Sequence, residues 1–194
     1  MHRHLRRSAA AVTLAVFAFA AHACKEGGSS GPTDPKETAG GIANSARSDA
    51  DILGLMQEAN RAELLAGQLA IQISSNADVK SFATIMLSEH NAIAAELESL
   101  ATQLNITPTV PSDALQKLQD SEIDGIAGLG ASNFGFHYMS LQVTVHERTL
   151  ALVDAFIAKA QQAALRTALQ NDVRPHIVVH LAAAQELKSR IGSP

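Results

Sequence analysis

From Ser48 onward, apolar side chains recur every three or four residues through four long stretches, and none keeps the two-residue alternation of a half-buried strand. That period commits the chain to helices that each bury one face. Ile52, Met56, Ala59, Ala66, Ala70 and Ile73 mark the first face. Ala83, Met86, Leu87, Ile93, Leu97, Ala101 and Leu104 mark the second. Met139, Val143, Leu150, Val153 and Ile157 mark the third, and Ile177, Ala184 and Leu187 the fourth. Aromatic residues are 4% of the chain and Trp is absent, so little of the material that strands favour is present, while Ala and Leu carry the lowest helix cost.

The breaks between stretches set the topology. Ser48 or Asp49 is the first helix cap, and Ser75 or Asn76 in "SSNAD" is the second. A turn that short makes the first two helices an antiparallel hairpin. Pro108 and Pro111 end the second helix, "SDALQKLQD" reads as a short helix capped by Ser112, and "GIAGLGASNFG" reads as a loose glycine-rich stretch. Residues 108–130 therefore form a crossover to a second hairpin. Its helices span about Ala131 to Lys159 and about Ala163 to Arg190, and Pro175 must kink or restart the last. The fold class expected is all-α: a ferritin-like four-helix bundle of two antiparallel hairpins joined by a long crossover, over residues 48–191.

Ahead of that domain, residues 1–23 read as a secretory signal: Arg3, Arg6 and Arg7, then an apolar run from Ser8 to Ala21, then small residues. The run is too short to span a bilayer, which takes about 20 residues. Cys24 is the only cysteine, so no intramolecular disulfide forms. Its place after Ala21-His22-Ala23 resembles a bacterial lipoprotein, in which that thiol carries lipid. Residues 24–47 are rich in Gly, Ser, Pro and charge and read as a flexible tether. The expected location is periplasmic or anchored to the outer membrane, with the membrane reached through lipid on Cys24. Without residues 1–23 the chain carries 12 basic and 19 acidic residues, a net charge of -7. Nucleic acid, which selects basic surfaces, is not an expected partner.

Each apolar face carries one titratable intruder: Glu63, His90, His146 and His180. Glu63 lies 13 residues from Asn76 and His90 14, or about 20 and 21 Å along the helices. His146 lies 16 residues from Gln162 and His180 18, or about 24 and 27 Å. Partners in each hairpin thus fall within one helical turn, while the relative height of the hairpins stays open. Three imidazoles and a carboxylate suit zinc, copper or iron. His176, four residues before His180, is a further candidate ligand, and Glu89 and Glu147 adjoin core histidines as candidate partners. The alternative is a Glu/His network that fastens the helices and binds nothing, in a structural or stress-related envelope protein. No Glu-x-x-His occurs, which argues against an oxygen-activating di-iron enzyme. Gly125, Gly128 and Gly130 follow no strand, so they make no phosphate loop.

The stretches "AELLAGQLA" with Glu63, "VKSFATIMLSEHNAIAAEL" with His90, "NFGFHYM" with Phe134 and Tyr138, and "RPHIVVHLAAAQEL" with Pro175 and His180 are similar to a known family. They resemble the exported bacterial proteins grouped as domain of unknown function forty-one forty-two, often labelled outer-membrane proteins. The resemblance covers about Leu53 to Leu187. It implies a ferritin-like fold, places Tyr138 among the residues around the site, and brings no established activity. This chain has Glu89-His90 where the family usually has Asp-His, Val145 where an acid usually precedes the third-helix histidine, and Gly135 where an Asp is common.

Overall fold

In a computed structural model, which describes residues 34–192, the protein is all-helical; no strand occurs among the described residues. Helix α1 spans Pro35–Ala43, α2 Asp49–Ile73, α3 Ala77–Gln103, α4 Ala114–Ala127 and α5 Ala131–Lys159. The last rod is composite: α6 (Ala163–Ala168), a π-helical turn (Leu169–Val173) and α7 (Arg174–Ile191). The signal segment and Cys24 lie outside the described residues. No described helix is long and apolar enough to cross a membrane.

Local chemistry starts these helices where side chains can replace missing backbone partners. Ser48, extended at φ -147°, accepts from the Asp51 N–H. Asn76 accepts from the N–H groups of Asp78 and Val79 at 2.9 and 3.1 Å, the standard side-chain N-cap. Before α4 the sequence reading is corrected: the cap position is Asp113, not Ser112, and it makes no side-chain cap bond. The same helix continues through Gly125 to Ala127, where a loop is expected. Burial of Leu115 and Ile126 against the bundle offsets the roughly 1 kcal/mol that a helical glycine costs.

A second correction concerns the tether. Residues 35–43 are helical, capped by the Asp34 carboxylate on Lys36 N–H, with Pro35 in the first turn. Ala39, Ile42 and Ala43 are buried and join a core cluster with Leu53, Leu152 and Phe156. Lys159 from the end of α5 also donates to the Ala43 carbonyl. With only three apolar side chains to contribute, this helix gives little periodic signal until α5 supplies the surface they cover.

Pro175 is accommodated rather than used as a break. Its ring removes an N–H and crowds the carbonyl four residues back. Immediately before it the chain widens into the π-turn, in which the Arg174 N–H reaches the Leu169 carbonyl five residues away. The rod therefore continues past the proline. The turn between α5 and α6 is held from outside: both oxygens of the buried Asp49 carboxylate accept, from Gln161 N–H and Gln162 N–H, each at 2.8 Å.

The connection after α3 folds back over the start of α2. Thr109 N–H donates to the Ala50 carbonyl at 3.0 Å, and its hydroxyl donates to Asp51 at 2.7 Å. At this crossing a β-carbon on Gly54 would lie 2.0 Å from the Thr109 carbonyl oxygen. Gly54→Ala should therefore cost about 1–3 kcal/mol through forced displacement of the loop. Gly125→Ala, where the same atom meets open space, should gain about 0.5–1 kcal/mol from reduced chain entropy. Urea denaturation of both variants checks the contrast; equal effects would refute the close-approach account.

A buried carboxylate among three imidazoles

The apolar core is two clusters with a polar layer between them. In α2 one cluster ends at Ala59 and the other begins at Ala66; Glu63 lies in the gap. In α3 the gap between Met86 and Ile93 holds His90. In α5 the gap between Met139 and Leu152 holds His146, and in the last rod the gap between Ile177 and Ala184 holds His180. All four are buried. The tertiary packing thus brings the two hairpins to a common level, which the sequence leaves open.

The imidazoles converge. Ring centroids are 6.1 Å apart for His90–His146, 5.2 Å for His90–His180 and 5.4 Å for His146–His180. One ring nitrogen from each lies within 4.8 Å of those of the other two. Glu63 Oε1 is 3.8 Å from His146 Nδ1, and Glu63 Oε2 accepts from Gln142 Nε2 at 2.9 Å.

Hydrogen bonding fixes which nitrogen of each ring bears hydrogen. His146 Nδ1 lies 2.9 Å from the Gln142 carbonyl, which can only accept, so that nitrogen donates. Asn60 donates its amide to the His90 carbonyl at 3.0 Å, which turns its oxygen toward His90 Nδ1 at 2.8 Å; that nitrogen also donates. His180 Nε2 donates to the Glu89 carboxylate. The opposite nitrogens, Nε2 of His90, Nε2 of His146 and Nδ1 of His180, are buried without a partner. Three buried lone pairs left unsatisfied would each be costly. A ring held through one nitrogen by an acceptor, with the other nitrogen free, is also how metal-binding histidines are oriented.

Charge points the same way. Burial opposes ionisation of Glu63, but facing His146 and His90, the Gln142 hydrogen bond and His180 outweigh it and hold the carboxyl below its ordinary range. Burial pushes His90 down to about 4, against the pull of Glu63. Burial also lowers His180, against the Glu89 hydrogen bond. Among the described residues, the only ion-pair partner of Glu63 is His146; the buried Arg148, two residues on from His146, is engaged by Glu122 at 2.7 Å.

The other residues singled out by sequence stand further off. His176 is exposed, with its ring centroid 6.4 Å from that of His180, and lies outside the three-histidine cluster. Glu147, half-buried, makes no hydrogen bond to the cluster. Tyr138 packs on Phe82 and Phe134 with its hydroxyl unpartnered; burial, then the Glu63 charge, raise its pKa. Neither Glu147 nor Tyr138 orients a ring: Glu147 follows His146 directly and so turns off its face, and Tyr138, buried on the same face, stands eight residues, or about 12 Å, along α5 from it. Glu89 does orient one. Asn60 and Gln142 orient the others and escape the sequence reading, although each is a polar residue one helical turn from a polar core residue: three before Glu63 and four before His146.

The layer predicts the acid behaviour of the metal-free protein. His90 is neutral when folded down to about pH 4, whereas an unfolded histidine takes a proton below about 6.5. The unfolded state binds more protons across that window, so stability falls as pH drops from about 6.5 to 4, by on the order of 3 kcal/mol from His90. His180 adds in the same direction, and below it Glu63 is lost as pH falls through the carboxyl range. Denaturation of chelator-treated protein against pH should show this slope, reduced in His90→Leu; a flat profile would contradict it.

Residues 34–187 match the model of a family described as "Domain of unknown function (DUF4142)". No curated protein and no solved structure matches the chain.

Proposed function

The chain belongs to the DUF4142 family, whose description assigns no activity, and we propose that it is an exported protein that binds one transition-metal ion in its helical core. The observation that carries this reading is the set of three unpartnered imidazole nitrogens in one layer with a buried carboxylate that no lysine or arginine among the described residues neutralises. His90 Nε2, His146 Nε2 and His180 Nδ1 would be the ligands, and Glu63, 3.8 Å from the opposite nitrogen of His146 and outside the three-histidine group, would supply the compensating charge. Asn60, the Gln142 carbonyl and Glu89 would orient the rings, and Gln142 Nε2 would hold Glu63. Three imidazole nitrogens suit zinc, copper or iron. A divalent ion would compensate the Glu63 charge and satisfy all three lone pairs at once.

The surrounding architecture in this reading is ferritin-like: the hairpin of α2 and α3, a crossover carrying α4, and a second hairpin of α5 with the α6–α7 rod. The anchor is lipid on Cys24, which would hold the domain at an envelope membrane through the residues before α1. Lipid attachment predicts that the full chain fractionates with membranes in a bacterium and that Cys24→Ser moves it to the soluble envelope fraction; identical fractionation would count against acylation.

Elemental analysis of the untagged, chelator-free protein tests the metal. About one ion per chain is expected, with thermal stability raised on loading. His146→Ala should weaken metal binding at least about 100-fold while leaving the helical circular dichroism in place, and Asn60→Ala, which removes only an orienting partner, about 10-fold. A wild-type chain that holds no zinc, copper or iron would instead leave the layer as a packing network in a structural envelope protein.

A further inference from the structure

Beside the imidazoles lies a small cavity of about 30 Å³, bordered by Glu63, His90 and His146 on one side and by Met56, Ile93, Val173 and Ile177 on the other. That exceeds the roughly 10–15 Å³ that one water molecule needs on the same measure. The three imidazoles would hold the ion; the cavity adds room for one small molecule beside His90 and His146. Asn60, whose amide is engaged by His90, and Thr149 also border the cavity; the remaining walls are apolar, so a weakly polar guest gives up the fewest hydrogen bonds on entering.

Outside, a groove of about 520 Å³ runs between α3 and the π-turn with α7. Groove and cavity share two lining side chains, Ile93 and Val173. Ile93 is buried and Val173 half-buried, so this pair is the partition between solvent and the site. Val173 is the last residue of the π-turn, and a π-turn is the local widening that the helix adopts ahead of Pro175. The groove also carries the exposed carboxylates of Glu96 and Asp172, and Glu63 waits within. Two acidic groups at the mouth and one inside work against small anions on this route.

The geometry points to a gated position for an uncharged diatomic ligand: such a molecule enters from the α3–α7 groove, passes Ile93 and Val173, and occupies the cavity against the metal. This rests on the metal-centre reading above and adds what the centre takes as its exogenous ligand. The proline-induced π-turn then has a consequence for the site, since it sets where Val173 stands.

Nitric oxide is the probe. Full-length protein reloaded with ferrous iron under anaerobic conditions should form one nitrosyl per iron, seen by absorption and electron paramagnetic resonance. tert-Butyl isocyanide, uncharged but far bulkier than a diatomic molecule, should not bind. Ile93→Phe should slow nitrosyl formation at least 10-fold and Val173→Ala should speed it severalfold, both with unchanged iron content. If Ile93→Phe fails to fold, Val173→Ala alone still decides. Equal rates in wild type and variants, or isocyanide binding as readily as nitric oxide, would overturn the gated cavity while the retained iron left the metal centre standing. A wild-type chain that retains no iron would remove the iron centre and this inference together.

Discussion

One carboxylate governs this molecule. Glu63 sits in the middle of a helical core, ionised, with an imidazole at 3.8 Å and one amide donor as its supports. Removing an ion from water costs several kcal/mol even after relaxation, and the cost is recovered only when geometry and hydrogen bonding around the charge are complete. The rest of the site follows from that requirement. His146 must present its ring to Glu63, so its Nδ1–H is tied to the Gln142 carbonyl. Gln142 must present its amide, so its side chain is drawn inward. His90 and His180 close the remaining sides, each pinned by a partner from another helix: Asn60 from α2 and Glu89 from α3.

The apolar clusters hold that layer at one level. They enclose it from both ends of the bundle, and their contacts fix the helix registers that let four side chains from four rods meet. Several long-range polar ties keep the registers from sliding. Asp49 binds the turn before α6 from the start of α2. Thr109 binds the returning connection to the same helix end across Gly54. Arg148 reaches Glu122 in α4 with two hydrogen bonds, and Arg61 reaches Asp120 in α4, so α4 is clamped to both α2 and α5. Dispersion alone would not select one register, because neighbouring slips of a largely Ala/Leu face bury similar area; directional hydrogen bonds and a buried charge do.

Much of this was legible in the residues. Four helical stretches, the turn at 74–76 and the four polar intruders all follow from period and capping chemistry, which act within a few residues. Glu89 was visible as the neighbour of His90, yet the ring it orients is that of His180. Asn60 and Gln142 were missed because a polar residue on an apolar stripe reads as noise until its partner is known. α1 was missed because three buried side chains among glycines make no periodic signal, and Glu147 and Tyr138 attract notice by their place in the chain, although Glu147 turns off the His146 face and Tyr138 lies two turns along α5 from it.

The sequence by itself determined the secondary structure and the polar content of each face, because helix period, capping and proline sterics are settled between near neighbours. It determined that one carboxylate and three imidazoles would have to be buried somewhere. Tertiary structure decided that they are buried together. It brought the two hairpins to one height, chose which nitrogen of each ring bears hydrogen, recruited residues 35–43 into the core, and turned the helix at Pro175 into a π-turn that walls the site. Each of those outcomes depends on contacts between residues tens of positions apart, whose geometry exists only once the helices are packed.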